Sequence, residues 1–131
     1  MTMQNRGLEQ LYPLVSLAIH QAEVAKAKGL SSLAAAINLD VSLLEEEIAE
    51  LLPADDEEGA IARRGVLTAA LAAQQYPRVV EMADKYLAEA VVDDALRARL
   101  AELRGVARRE VDALQGLPDV FDPGAEFHLA A

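Results

Sequence analysis

The chain has 131 residues, the usual size of a single domain and enough to bury a core without disulfide bonds. Its 53% hydrophobic content comes largely from alanine and leucine, with only 4% aromatic residues, which predicts an all-α fold. Zero cysteines exclude thiolate zinc sites and thiol nucleophiles, and a formal net charge of -10 disfavours nucleic acid and anionic membranes as partners.

No stretch of the sequence reaches 18 uninterrupted apolar residues, and the first ten residues contain no apolar run of signal-peptide length. Nothing in the composition requires an oxidising compartment. We therefore expect a cytoplasmic protein that does not cross a membrane.

The first predicted helix covers residues 4 to 28. Pro13 lies near its middle and predicts a kink or a later start. Lys26, Lys28 and Gly29 are typical of a helix C-terminus, because cations favour the negative end of the helix dipole and glycine adopts the left-handed conformation. The apolar positions recur every three or four residues and predict the buried face: Leu8, Leu11, Val15, Ala18, Ala22 and Ala25, widened by Leu14 and Ile19.

Two further helices are predicted between residues 30 and 52. The first of them covers residues 31 to 38 and ends at Asn38, a residue that tolerates the left-handed conformation of a tight turn. Ser42 and Glu45 have the spacing of a capping box, which predicts the start of a third helix. That helix runs to about Leu52, before Pro53, with Leu44, Ile48 and Leu51 on its buried face.

In shape, residues 8 to 52 resemble a helix-turn-helix unit of the winged-helix type, which implies a tri-helical head. A DNA-reading version of this unit needs donors and cations on its second helix. Here residues 30 to 52 carry a charge of -5 without any lysine or arginine, so we do not expect this helix to enter a major groove. Two interpretations stay open. The segment is a unit for helix packing, or it presents an acidic face that meets water or a basic protein surface, formed by Glu45, Glu46, Glu47 and Glu50.

The segment "PADDEEGA" separates this head from the second half of the chain. It predicts a loop in which Asp55 caps a fourth helix, residues 57 to 75, with Glu57 and Glu58 in its first turn. Pro77 favours the first turn of a fifth helix. "VDDAL" predicts the cap of a sixth helix, which Gly116 and Pro118 end. The predicted inner faces are Val79, Val80, Ala83, Tyr86, Leu87 and Ala90, then Leu96, Leu100, Leu103, Ala107 and Leu114.

Residues 57 to 115 resemble a tetratricopeptide-type helical hairpin followed by one more helix. The features that carry the resemblance are Arg64 and Gly65 inside the first helix, Tyr76 at the turn, and small and aromatic residues on the packing faces, namely Ala69, Ala70, Ala73, Ala83 and Tyr86. "RGV" also recurs at an offset of 40 residues, within the range of helical repeats. The resemblance implies a peptide- or protein-binding surface, for which Tyr76 and Tyr86 are candidates, and no chemistry.

The sixth helix carries the main basic cluster, and an irregular tail follows it. Two interpretations of the cluster stay open: ion pairs within the helix, or a patch of Arg104, Arg108 and Arg109 that binds an acidic partner. Residues 116 to 131 have no helical period and predict an extended arm in which Phe121 and Phe127 are candidate partner contacts. The final "LAA" resembles the C-terminal degradation signal that bacterial unfoldase proteases recognise.

These patterns predict one helical domain over residues 1 to 115, built as a six-helix bundle or a short right-handed α-hairpin array. Within this domain, residues 4 to 52 are expected to form a tri-helical head, and residues 56 to 115 a helical hairpin and one further helix. The sequence has no phosphate loop, metalloprotease motif or serine elbow, so we expect no enzyme activity, cofactor or metal. The leading hypothesis is a non-enzymatic protein-interaction module, adaptor or regulator that associates with itself, for example as a homodimer, or with another protein. The alternative is a transcription regulator, or its remnant, with a degenerate helix-turn-helix head and a helical dimerisation region.

Overall fold

The computed structural model describes residues 6–90 and 92–116, and these residues form five helices and no strand. The helices are α1 (Leu8–Ala27), α2 (Ser31–Leu51), α3 (Glu57–Ala72), α4 (Tyr76–Leu87) and α5 (Asp94–Gln115). The all-α prediction is therefore confirmed. The helix count is five in this part of the chain, where the sequence predicted six, because the predicted second and third helices are one.

Helix α2 runs through Asn38 without a break, so the predicted turn there and the separate third helix are wrong. The only described residue other than glycine with positive φ is Gln74, so Asn38 does not adopt the left-handed conformation that the turn required. Asn38 is flanked by strong helix formers, and an asparagine inside a helix costs well under about 1 kcal/mol relative to alanine. The helix continues because no glycine or proline interrupts it.

Ser42 does not cap a helix, and its hydroxyl serves the packing of helices instead. The side chain is fully buried in the middle of α2. Its Oγ donates a hydrogen bond to the carbonyl of Val66 on α3, over 2.7 Å, and accepts one from Nε of Arg78 on α4, over 3.0 Å. A buried hydroxyl needs such partners, so this residue fixes α2 against both neighbours.

The other helix boundaries closely follow the residues that favour the start or the end of a helix. Gly29 has φ 75° and ends α1, Pro77 lies in the first turn of α4, and the Asp93 carboxylate accepts a 2.7 Å hydrogen bond from the Leu96 N–H at the start of α5. Two details differ. The N-cap position of α3 is Asp56 instead of Asp55, without a side-chain capping hydrogen bond, and α1 passes through Pro13 instead of starting again there.

Each helix packs against the one that follows it, and α3 also contacts α5. One apolar core joins all five helices, with fully buried side chains that include Leu11, Ile48, Leu67, Val79 and Leu100. Helix α1 lies at the edge of this arrangement, because its backbone packs against α2 alone. Within the described ranges, no helix combines the length and the apolar character that a membrane crossing requires.

Candidate protein-docking surface

The four glutamates predicted to form one acidic face point in three directions, since Glu46 and Glu50 both lie near Lys85, and three of the four meet cations of the same chain. The Arg78 Nη2 donates to Glu46 over 2.8 Å, and the Lys85 Nζ lies 3.1 Å from Glu50. Arg6, just before α1, forms an ion pair with Glu47. Three of the carboxylates therefore meet basic groups of the same chain, on α4 and just before α1, and the four do not form a single outward face, although Glu47 and Glu50 remain 40% and 60% exposed.

Glu45, the fourth of these residues, lies half-buried between α2 and α3. Its carboxylate packs against Gly65, where even a methyl group would overlap with Glu45 Oε2. The described residues supply it with no ion-pair partner. Burial raises the pKa of the Glu45 carboxyl to about 7. Gly65 thus allows close approach of α2, as a glycine inside a helix suggests.

Neither of the two predicted partner-binding tyrosines offers a freely exposed ring. Tyr86 is 2% exposed, its hydroxyl has no hydrogen-bond partner among the described residues, and burial raises the pKa of that hydroxyl. Tyr76 is half-buried and packs against the core. Both side chains therefore contribute to the interior of the second half of the chain.

A buried arginine beside Tyr86 is a feature that the sequence analysis did not single out. The Arg63 guanidinium donates to both oxygens of Glu89, over 2.7 and 3.0 Å, and to the Gly59 carbonyl over 3.0 Å. It also lies 5.3 Å from the centre of the Tyr86 ring, in the range of a cation–π contact. The signal was present, because Arg63 is four residues before the buried Leu67 on the apolar side of α3.

These groups line a cleft of about 390 Å³ at the C-terminal end of α2. Its cations, Arg63 and Lys85, are each paired with a carboxylate, from Glu89 and Glu50 respectively. The buried Arg63 links α3 to Glu89, just beyond α4, while the Lys85–Glu50 pair between α4 and α2 is exposed on both sides and contributes little to stability. The described part of the chain contains no cluster of three or more aspartate, glutamate or histidine side chains placed to hold a metal ion.

The arginines of α5 pair both within the helix and across to α4. Arg99 contacts Glu102 over 2.6 Å within α5, as one interpretation of the sequence predicts. Arg104 donates to Asp84 on α4 over 2.9 Å, and Arg108 lies 3.9 Å from the same carboxylate. Arg109 is exposed. The candidate contacts Phe121 and Phe127, with the rest of the predicted arm beyond Gly116, lie outside the described residues.

The apolar surface of this protein is concentrated on α1 and α2. Eleven large apolar side chains are exposed among the described residues, and only Ile61 and Leu114 belong to other helices. The remaining nine lie on α1, on α2 or in the turn that joins them: Tyr12, Leu14, Leu17, Ile19, Val24, Leu30, Leu33, Leu43 and Leu51. Exposed apolar side chains that gather on one part of a surface mark interaction sites more often than scattered ones.

Six of these nine side chains line a groove between the two helices, which we call the α1–α2 groove. It consists of two adjoining hollows of about 420 and 410 Å³, joined at Gln21, which lines both. The exposed apolar residues of the groove are Leu14, Leu17 and Val24 on α1, Leu30 in the turn, and Leu33 and Leu43 on α2. A groove between two helices is a common binding site for a further helix.

The α1–α2 groove also lies in the least charged part of the chain. Residues 10 to 39 contain three charged side chains, Glu23, Lys26 and Lys28, whereas the whole chain contains 34 charged residues with a net charge of -10. This surface was not predicted from the sequence, where Leu14 and Ile19 were expected to widen the buried stripe. Helical spacing identifies an apolar face but does not say whether another helix covers it.

Comparison of the chain with protein-family models, with curated proteins and with solved structures finds no match.

Proposed function

We propose that this protein is a non-enzymatic interaction module that associates with a second copy of itself through the α1–α2 groove. The observation that carries the proposal is the set of nine exposed large apolar side chains on one helical hairpin. The backbone of α1 lies close to one other helix, so a large part of the surface of α1 is open to a partner. A self-associating helical module was also the leading hypothesis from the sequence.

The dimensions of the groove suit a small dimer interface. Helices of 20 and 21 residues are about 30 Å long, and two of them side by side are about 20 Å wide. This gives a flat footprint of roughly 600 Å² on each copy, at the lower end of what stable interfaces bury. Burial of the exposed half of a leucine is worth about 1 kcal/mol, so the six groove residues together can offset the cost of association.

The charge distribution favours a second copy over a strongly charged partner. A chain with a net charge of -10 repels its copies over most of its surface, and it can approach them most easily where charged residues are few. Residues 10 to 39, which form most of the groove, have one negative and two positive side chains. A basic protein or a nucleic acid would find little to bind there.

The second half of the chain would then serve as a scaffold behind the interface. The resemblance of residues 57 to 115 to a tetratricopeptide-type hairpin is part of this proposal, and the mutual packing of α3, α4 and α5 supports it. The alternative of a regulator with a helix-turn-helix head loses its main support, because that head depended on a turn at Asn38, where α2 is continuous.

The proposal predicts that a charge placed in the groove separates the copies without unfolding them. Leu17 and Leu33 are 54% and 50% exposed, so Leu17→Glu and Leu33→Glu leave the core intact. Sedimentation equilibrium should give a dimer for the unaltered chain, weakened at least about tenfold by either substitution, because each places a carboxylate in an apolar contact.

A matched control is available on another helix. Leu114 is 58% exposed on α5, away from the groove, and Leu114→Glu should leave the dimer unchanged. Circular dichroism should show that each variant keeps its helix content. A monomeric unaltered chain at about 100 µM would overturn the proposal, as would equal effects of the groove and control substitutions.

A further inference from the structure

The two ends of the α1–α2 groove carry opposite charges. One end, which we call the tip, lies at the turn around Gly29 and has Lys28 in its lining. The other end, the base, has Asp40, Glu47 and Arg6 in its lining. The lysine, arginine and carboxylate side chains therefore give the tip one positive charge and the base one net negative charge.

The charges that set this polarity are those of Lys28 and Asp40. Glu47 and Arg6 form an ion pair with each other, so their charges compensate within one copy. Among residues 6–90 and 92–116, neither Lys28 nor Asp40 has an ion-pair partner. Each is thus available to an opposite charge brought in by a partner.

We propose that the two copies pack groove to groove in an antiparallel arrangement, with the tip of each hairpin over the base of the other. This inference rests on the proposed self-association and names its geometry. A two-fold axis perpendicular to the hairpin generates it, so the same contacts occur twice. The product is an interface of four helices, two from each copy, of the kind found in helical bundles.

Electrostatics distinguishes this arrangement from its parallel alternative. In a parallel pair, the two tips meet and Lys28 faces Lys28, while Asp40 approaches Asp40 at the base. In the antiparallel pair, each Lys28 lies over the half of the other copy that contains Asp40. Exposed ion pairs are worth only about 0 to 1 kcal/mol each, so they select the orientation while the apolar side chains supply the affinity.

A distance between two tips measures the orientation directly. The chain contains no cysteine, so Ser32→Cys provides a single attachment point for a spin label, at an exposed position in the first turn of α2. Pulsed electron spin resonance on the dimer should give a separation of about 30 Å between the labels, the length of the hairpin. Labels within about 15 Å of each other in an intact dimer would overturn the antiparallel geometry and leave the proposed self-association standing.

Charge reversal supplies an independent test. Lys28→Glu and Asp40→Lys should each weaken the dimer by about threefold to tenfold, because each places like charges opposite one another, and the double variant should regain the affinity of the unaltered chain. In a parallel dimer each single substitution replaces one like-charge pair by another, so unchanged affinities would overturn the inference. Arg109→Glu, exposed on α5, is the control and should have no effect. A monomeric unaltered chain would instead contradict the proposed function itself.

Discussion

The role of each charged residue in this protein depends on the helix that lies opposite it. Glu45, Glu46 and Glu47 are consecutive in the sequence, yet they meet Gly65 of α3, Arg78 of α4 and Arg6 respectively. Consecutive residues of a helix point about 100° apart, so a run of acids contributes to several faces. Two of these glutamates are compensated, and Glu45 is the one whose charge is costly to bury.

The raised pKa of Glu45 predicts that the free energy of unfolding falls as the pH rises. The folded protein holds the pKa of this carboxyl at about 7, above its ordinary value of 4.5, so folding favours the protonated form. That contribution is fully present below pH 4.5 and is lost as the pH rises through 7. Glu45→Gln, which cannot ionise, should therefore increase the free energy of unfolding at pH 8 by about 1 to 2 kcal/mol, since half-burial leaves some screening, and leave it unchanged at pH 4.5.

Urea unfolding at both pH values measures this difference. Glu50→Gln is the control, because it removes a carboxylate from the same helix at an exposed position. Its effect at pH 8 should stay within about 0.5 kcal/mol. A pH dependence that is the same for the unaltered chain and for Glu45→Gln would contradict the assignment of the titration to this residue.

At the scale of helices, the sequence predicted boundaries well where a glycine, a proline or an N-cap carboxylate marks them. Gly29, Pro77 and Asp93 act at the ends of helices as expected. Asn38 is different, because asparagine is common in turns but is also tolerated inside helices. Ser42 satisfies its hydroxyl with the backbone of α3 and with Arg78, partners that no local pattern identifies. The prediction of a helix break at Asn38 was wrong for this reason.

Two substitutions at Asn38 separate a helix from a turn. In the continuous helix α2, Asn38→Ala should stabilise the protein by about 0.5 kcal/mol and Asn38→Gly should destabilise it by a similar amount. In a left-handed turn the order would reverse, because glycine suits positive φ and alanine does not. Thermal or urea unfolding of the two variants decides between these orders. A more stable glycine variant would show that the helix breaks at this position.

At the scale of the whole molecule, the helices are covered unequally. Helix α3 has backbone contacts with α2, α4 and α5, whereas the backbone of α1 contacts α2 alone, and α1 reaches α3 through side chains such as Tyr12, which donates a hydrogen bond to Glu58. Helix α3 consequently buries Ala62, Val66, Leu67 and Ala70, while α1 buries one stripe and exposes Leu14, Leu17 and Val24 beside it. This inequality is the physical basis of the proposed dimer, in which a second copy covers the surface that α1 and α2 expose.

Self-association also predicts a stability that depends on protein concentration. If folded copies bind one another and unfolded chains do not, the thermal midpoint rises with concentration by mass action. Between about 1 and 100 µM the midpoint of the unaltered chain should increase by a few degrees, and that of Leu17→Glu should increase less. Differential scanning calorimetry measures both midpoints. A concentration-independent midpoint for the unaltered chain would contradict a dimer in this range.

The all-α class, most of the helix boundaries and the main buried stripes could be predicted from the amino-acid sequence, because these depend on composition, on residues at helix ends and on spacing within about ten residues. Three features could be seen only in the folded protein: α2 is continuous, Arg63 is buried against Glu89 and Tyr86, and Leu17 and Leu33 are exposed. The physical reason is the same in each case. Whether a side chain is buried, paired or exposed depends on what the fold places opposite it, and residues far apart in the chain supply that neighbour.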